Sequence, residues 1–158
     1  LSRYPDIELV VKLSNDHPSR NPICKYIYRL KYPNVRTVSN KPFASFIGQA
    51  DIYLFDWLST AFLEALTTQS HVITIIDSRI YPLEEEAKNL LKKAVTYTEK
   101  LENLPFDITS LLAGETTHKW SKTSRQMFLS SYGIPKGSKL PADRAIDFIN
   151  QVALQNAP

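Results

Sequence analysis

Residues 50–77 read ADIYLFDWLSTAFLEALTTQSHVITIID, and the fold turns on how this stretch is read. Ile52 to Phe55 is a short apolar run of strand type, and Val72 to Ile76 is a second. Between them lie a polar turn at Asp56, Ser59 and Thr60 and a helical segment from Thr60 to Thr68, whose Phe62, Leu63 and Leu66 face inward while Glu64 is carried among them. Strand, helix and strand in this order predict a parallel pair joined by a helical crossover. The unbroken apolar character of 72–76 fits a strand covered on both faces. In such a sheet the turn from a strand's carboxyl end to the next helix's amino end is where an anion is most readily held, because unpaired amides and the helix dipole converge there.

The same alternation extends in both directions. Ile7 to Leu13 reads as a strand and runs into SNDHPSRNP, a polar, proline-bearing loop. A short helix is expected over Ile23 to Leu30 and a brief strand over Val35 to Val38. Phe43, Phe46 and Ile47 sit at helical spacing in a segment 43–49 that Gly48 would stop. After Asp77 a loop SRIYP leads to a helix over about 83–93, with Glu84, Glu85 and Glu86 at its start and Lys92 and Lys93 at its end, charges that complement the helix dipole. Ala94 to Tyr97 is a candidate fifth strand. Helices are expected over 99–104, over 106–112 after Pro105, over 121–132 up to Gly133, and over 142–154 after Pro141. Strands alternating with helices predict an α/β fold, a Rossmann-like doubly wound parallel sheet with extra carboxyl-terminal helices.

Composition bounds the rest. With 158 residues, 43% of them hydrophobic, one core and one domain spanning 1–158 are expected. The first residue is Leu1 and the only methionine is Met127, so the chain reads as a piece of a longer protein. Nineteen basic and sixteen acidic residues give a net charge of +3, a mild bias that suits a phosphate-bearing ligand or an anionic membrane surface. It is not the basic footprint of a nucleic-acid binder. A lone cysteine, Cys24, excludes an internal disulfide and a cysteine zinc cluster, and suits a reducing, cytoplasmic compartment. No apolar run approaches the roughly 20 residues that span a bilayer. Three scattered histidines make no zinc constellation, and no cofactor or metal is expected.

The candidate site follows from the turn. Its amides, the hydroxyls of Ser59 and Thr60, and the positive end of the dipole would together hold a diphosphate without a lysine. Ser59 or Asp56 equally serves as a helix cap. Glu64 follows Asp56 by eight positions, about two turns, so it is placed over the same ligand to accept hydrogen bonds from a ribose diol. As a solvated helix acid it needs no ligand. Asp77, Arg79 and Tyr81 line the loop after the next strand, and Arg79 is a secondary candidate for a phosphate contact.

Asp56, then WLSTAFL, then Glu64-Ala65-Leu66, TTQSH and Val72-Ile73 resembles the donor-binding signature of GT-B glycosyltransferases. Within that family the chain is most similar to the capsule, teichoic-acid and surface-polysaccharide transferases. Their first carboxyl-domain strand ends in Lys-x-His-Pro and their later turn reads Asp-Tyr-Ser-Ser, where this chain has Lys12 followed by Asp16-His17-Pro18, and Asp56-Trp57-Leu58-Ser59-Thr60. The tail FLSSYG followed by ADRAIDFI also resembles the family's closing helices. Gln69 stands where the family usually has glycine, and His71 where it has proline.

The resemblance implies a fold and a division of labour. The chain would be the carboxyl-terminal half of a GT-B enzyme, binding a nucleotide-diphosphate sugar, with an amino-terminal acceptor domain outside this sequence. Glu64 would hold the ribose, Ser59, Thr60 and Ala61 the diphosphate, with Asp56 in the same turn. His17 would approach the donor phosphates as the catalytic group, where an imidazole stabilises a leaving nucleotide. The work would take place in the cytoplasm, at the inner face of the membrane if the domain associates peripherally. A polyol-phosphate transferase using a CDP-glycerol type of donor is the neighbouring alternative. A non-catalytic α/β binding module, in which Asp56, Ser59 and Glu64 are only capping and solvated residues, is the alternative from another class.

Overall fold

β-branched and aromatic residues dictate where the strands form. Val35–Val38 (β2) and Ile52–Phe55 (β3) have the bounds that their composition predicts. Leu9–Lys12 (β1), His71–Ile75 (β4) and Thr96–Thr98 (β5) each lie within two residues of expectation at either end. The computed structural model describes residues 5–13, 26, 32–39, 41–114 and 120–133. The expected helices at 23–30 and 142–154 and the loop carrying His17 lie outside the described residues, apart from Tyr26, which is helical.

The chain divides into two compact units, Leu1–Ile47 and Gly48–Pro158. In the first, β1 and β2 pair in parallel with Leu9 beside Val35 and Lys12 beside Val38. Asn34 secures the entry to β2, its side-chain amide donating to the Ile7 carbonyl at 2.8 Å. The segment expected as a helix over 43–49 is a single 3-10 turn, Phe43–Phe46, with no side-chain cap at its start. A four-residue turn forms too few bonds to propagate an α-helix without one.

The second unit is a parallel sheet of order β3-β4-β5. Helix α1 (Thr60–Ala65) connects β3 to β4, and α2 (Glu85–Ala94) connects β4 to β5. The architecture is therefore α/β, with parallel strands in two small sheets. Gly48 opens this unit with φ 77, a left-handed backbone that suits only glycine well, and its amide donates to the Tyr53 hydroxyl at 2.8 Å. Side chains of a strand alternate between faces, so Tyr53 and Phe55 share one face of β3. Phe62 of α1 meets Phe55 edge to face at 5.6 Å, and Phe128 meets Phe62 at 6.1 Å. Phe62, Ile73, Leu91 and Ala94 are fully buried and form the centre of the core.

The expected helix over 99–104 is a 3-10 turn, Leu101–Asn103, that runs into α3 (Leu104–Leu112). Pro105 does not separate them, because it occupies the first turn of α3, where its missing amide proton has no intrahelical role. Helix α4 (Lys122–Tyr132) packs on α2. Ser121 caps it by accepting from the Ser124 amide at 3.2 Å. Gly133 ends it, where a Cβ would come within 2.6 Å of the Leu129 carbonyl oxygen. In α2 the acids Glu85 and Glu86 and the bases Lys92 and Lys93 do sit in the first and last turns.

Arg125 fastens α4 to the end of α2 and to the turn that leads into β4. It is 2% exposed, and its guanidinium donates to three main-chain carbonyls: Ala94 at 3.0 Å, Thr68 at 2.8 Å and Ser70 at 3.0 Å. Its face lies 3.7 Å from the centroid of the Trp120 ring. Burial pulls its pKa down to about 10, still far above neutrality, so the group enters the core as a cation. Thr74 presents the opposite situation: it is fully buried between Phe55 and Tyr97 in the central strand, and its hydroxyl has no hydrogen-bond partner.

Replacing Arg125 by Met should lower unfolding stability by roughly 3 kcal/mol, because three carbonyls, the Ala94 one buried and the other two partly so, lose their donor. Arg125→Lys should recover less than half of that, since an ammonium cannot reproduce the planar fork. Thr74→Val should act in the other direction and raise stability by about 1 kcal/mol, because it removes a buried hydroxyl that nothing satisfies. Urea midpoints read at an unchanged slope check both.

Candidate functional site

The site is built where β3 and β4 end side by side, Phe55 being in register with Thr74. Parallel pairing brings the segment after Phe55 and the segment after Ile75 to the same edge of the sheet. The first of these is the turn Asp56–Ser59. Its tightest element is the Ser59 amide donating to the Trp57 carbonyl at 3.0 Å. Ser59 then caps α1, with its hydroxyl oxygen accepting from the Phe62 amide at 3.4 Å and its carbonyl accepting from the Leu63 amide at 3.2 Å. Capping uses one lone pair of the hydroxyl and leaves its proton available to an anion.

The expected ligand residues distribute around this start. Asp56 and Thr60 are exposed, while Ser59, Ala61 and Glu64 are half-buried. Glu64 lies four residues after Thr60 on the same helix, one turn along, so both belong to the same side of α1. Helix geometry leaves the amides of Thr60 and Ala61 without an intrahelical acceptor. The helix is short, six residues, so the dipole it offers is modest.

The segment after β4 is organised by Asp77. Its carbonyl accepts from the amides of Ile80 and Tyr81, each at 2.9 Å. Its carboxylate accepts from the Arg79 amide at 2.9 Å, from Arg79 Nε at 2.9 Å and from Arg79 Nη2 at 2.6 Å. Arg79, expected to reach a phosphate, is thus held by a carboxylate two residues away, although its side chain is 88% exposed. These hydrogen bonds hold the Asp77 carboxyl at about 2, well below the usual range.

The two segments meet through aromatic rings. Trp57 and Tyr81 stand edge to face with centroids 4.0 Å apart and planes at 85°, and both are substantially exposed. The sequence places Tyr81 among the residues lining the loop after β4 and Trp57 in the Asp56–Thr60 turn, but gives neither ring a role. Asp56, Ser59, Thr60, Ala61 and Glu64 thus lie on the β3-α1-β4 element, Arg79 lies in the loop that follows β4, and the Trp57–Tyr81 contact joins the two loops. His17 lies outside the described residues.

The two departures from the resembling signature are Gln69 in the turn between α1 and β4 and His71 as the first residue of β4. The turn's carbonyls at Thr68 and Ser70 are the ones Arg125 holds, and Thr68 Oγ1 accepts from the Ser70 amide at 3.2 Å. The His71 amide donates to the Asp51 carbonyl at 2.9 Å, which begins the pairing of β3 with β4. Among the described residues no three His, Cys, Asp or Glu side chains cluster as metal ligands would. Among them, too, no helix is long and apolar enough to cross a membrane.

No known protein family model matches the sequence, and neither a curated protein nor a solved structure matches it.

The Asp77 turn predicts a titration. An acid whose folded pKa is depressed contributes stability above its ordinary value and loses it as pH falls through the folded value. The carboxylate contacts of Asp77 with Arg79 should hold at pH 4 and be lost as pH falls toward about 2, the value at which Asp77 protonates, while the amides of Ile80 and Tyr81 keep the Asp77 carbonyl. Carboxyl-carbon NMR reads this directly, and Arg79→Ala should return the Asp77 midpoint toward the ordinary 3.8.

Proposed function

We propose that this chain is the donor-binding half of a GT-B glycosyltransferase acting in surface-polysaccharide or glycan synthesis. The observation that carries the reading is the parallel element β3-turn-α1-β4, in which Asp56, Ser59 and Thr60 follow the carboxyl end of β3 and Glu64 lies one turn along α1. The carboxyl edge of the strands is the one at which open α/β sheets take their ligands. The short, exposed turn suits a ligand whose charge is met mainly by amides and hydroxyls, as a diphosphate is.

In this reading the Ser59 hydroxyl proton and the amides of Thr60 and Ala61 hold the diphosphate. Glu64, one turn further along α1, accepts from the two ribose hydroxyls. Asp56 lies at the mouth of the turn. Arg79 keeps Asp77 as its partner and offers its remaining donors to phosphate oxygens, since a guanidinium carries five. His17 is the group proposed to approach the leaving nucleotide, on the strength of the His17-Pro18 resemblance alone. The reading requires a single Rossmann-like, doubly wound domain and an amino-terminal partner that brings the acceptor. It places the reaction on the cytoplasmic side, with peripheral attachment to the membrane.

One observation favours the other class of reading. Ser59 is a helix cap in its own right, which a non-catalytic α/β module would also need. The ligand decides between them. A nucleotide at 100 times its dissociation constant adds about 2.7 kcal/mol to the folded state, a readily measured rise in melting temperature. A series of UDP, GDP, CDP and CMP should show such a rise with at least one diphosphate, and a preference for CDP over UDP and GDP would point to the polyol-phosphate alternative. Glu64→Ala should weaken the best of them by about tenfold or more, the cost of a charge-assisted contact to a diol. Calorimetry that finds unchanged affinity in Glu64→Ala removes the ribose assignment, and the absence of any rise across the series favours the non-catalytic module.

A further inference from the structure

We propose that Trp57 and Tyr81 form a latch, in which the loop after β4 is a fixed post and the segment Asp56–Leu58 is a tongue held against it. The latch needs no ligand, and it stands whether or not the chain binds a nucleotide.

The post is built from hydrogen bonds within its own loop. The Asp77 carbonyl accepts from the amides of Ile80 and Tyr81, each at 2.9 Å, and the Asp77 carboxylate accepts from the Arg79 amide at 2.9 Å. Three successive amides therefore turn back on one residue, and that residue directly follows Ile76, which is 2% exposed. Backbone groups paired in this way fix the path of a loop. The Tyr81 ring is thus carried on a backbone that its own loop holds in place.

The tongue is held differently. Both its ends are anchored: Phe55, the last residue of β3, meets Phe62 edge to face at 5.6 Å, and Ser59 caps α1. Between the anchors the Ser59 amide donates to the Trp57 carbonyl at 3.0 Å, a bond that closes over a single residue. Such a bond sets the conformation of Leu58 and leaves the direction of the segment open. The contact with Tyr81 supplies that direction, edge to face with centroids 4.0 Å apart and planes at 85°.

The strength of this contact makes it a latch rather than a part of the core. Trp57 is 49% exposed and Tyr81 39%, so the pair lies at the surface. An aromatic pair favours contact over separation by roughly two- to tenfold beyond the area it covers. That suffices to order a short segment, and its release leaves the fully buried Phe62 and Ile73 covered. Opening is therefore confined to Asp56–Leu58, with Trp57 at the middle.

Backbone nitrogen-15 relaxation on the 158-residue chain tests the latch, read on the wild type, Tyr81→Leu, Tyr81→Phe and Trp57→Leu. In the wild type the order parameters of Trp57 and Leu58 should stand near the value of about 0.85 found in rigid backbone. Tyr81→Leu should bring them below about 0.6, the flexible range, while Tyr81→Phe, which keeps the ring and removes the hydroxyl, holds them at the wild-type level. Trp57→Leu should leave Ile80 and Tyr81 rigid, because the post does not depend on the tongue. Phe62 and Ile73 should stay rigid in every variant, which separates a released segment from an unfolded domain. Order at Trp57 and Leu58 that survives Tyr81→Leu overturns the latch, and so does flexibility there in the wild type. Loss of order that spreads to Phe62 and Ile73 overturns it too, since the ring would then belong to the core. Loosening of Ile80 and Tyr81 in Trp57→Leu as large as that of the tongue in Tyr81→Leu overturns the division into post and tongue.

Discussion

Arg125 carries a positive charge into a place with almost no water, and three main-chain carbonyls and one indole face meet it there. Two of those carbonyls, Thr68 and Ser70, belong to the turn that ends α1, and the third, Ala94, belongs to the last residue of α2. A turn of Thr67, Thr68, Gln69 and Ser70 has neither glycine nor proline to set its shape. Its threonines and backbone amides hydrogen-bond within the turn, and the guanidinium adds fixed donors to the Thr68 and Ser70 carbonyls. Desolvating a cation costs several kcal/mol, and charge-assisted hydrogen bonds with a cation–π contact offset that cost. From this turn β4 takes its starting point, and so do the register with β3 and the position of the Asp77 loop.

The strands, and the ends of the longer helices, were legible because short-range chemistry decides them. β-branched runs gave β2 and β3, and the pair Ser121 and Gly133 gave both ends of α4. Two expectations failed where local signals were weak: the segments at 43–49 and 99–104 are 3-10 turns, one without a side-chain cap and one absorbed into the approach to α3. Arg125 was invisible for a different reason. In KTSRQMFLSSY an arginine reads as part of a solvated face, and only the tertiary position of three carbonyls distant in sequence makes it a core residue. No periodicity encodes that.

The candidate site divides in the same way. Ser59 was readable as a cap because its role lies within three residues of itself, and the structure places the cap there. Arg79 was readable as a cation in the loop after β4, but not as the partner of Asp77, since sequence alone leaves open which anion a guanidinium meets first. The aromatic contact between Trp57 and Tyr81 depends on two loops separated by a whole helix and strand, and it emerges only when the register of β3 and β4 is known. The loop's own carboxylate holds the guanidinium, so the position of the arginine is set from within the loop.

Helix α3 has a consequence of another kind. Leu104–Leu112 contains no buried residue, and Phe106 is 74% exposed. Opening it removes little apolar surface from cover, whereas opening α1 or β4 would expose Phe62 and Ile73. In native-state hydrogen exchange the amides of α3 would therefore exchange through local fraying, at free energies far below those of the core. The protein is thus two-tempered: a sheet and two helices clamped around one arginine, and a neighbouring helix that can unravel and re-form without the rest taking part.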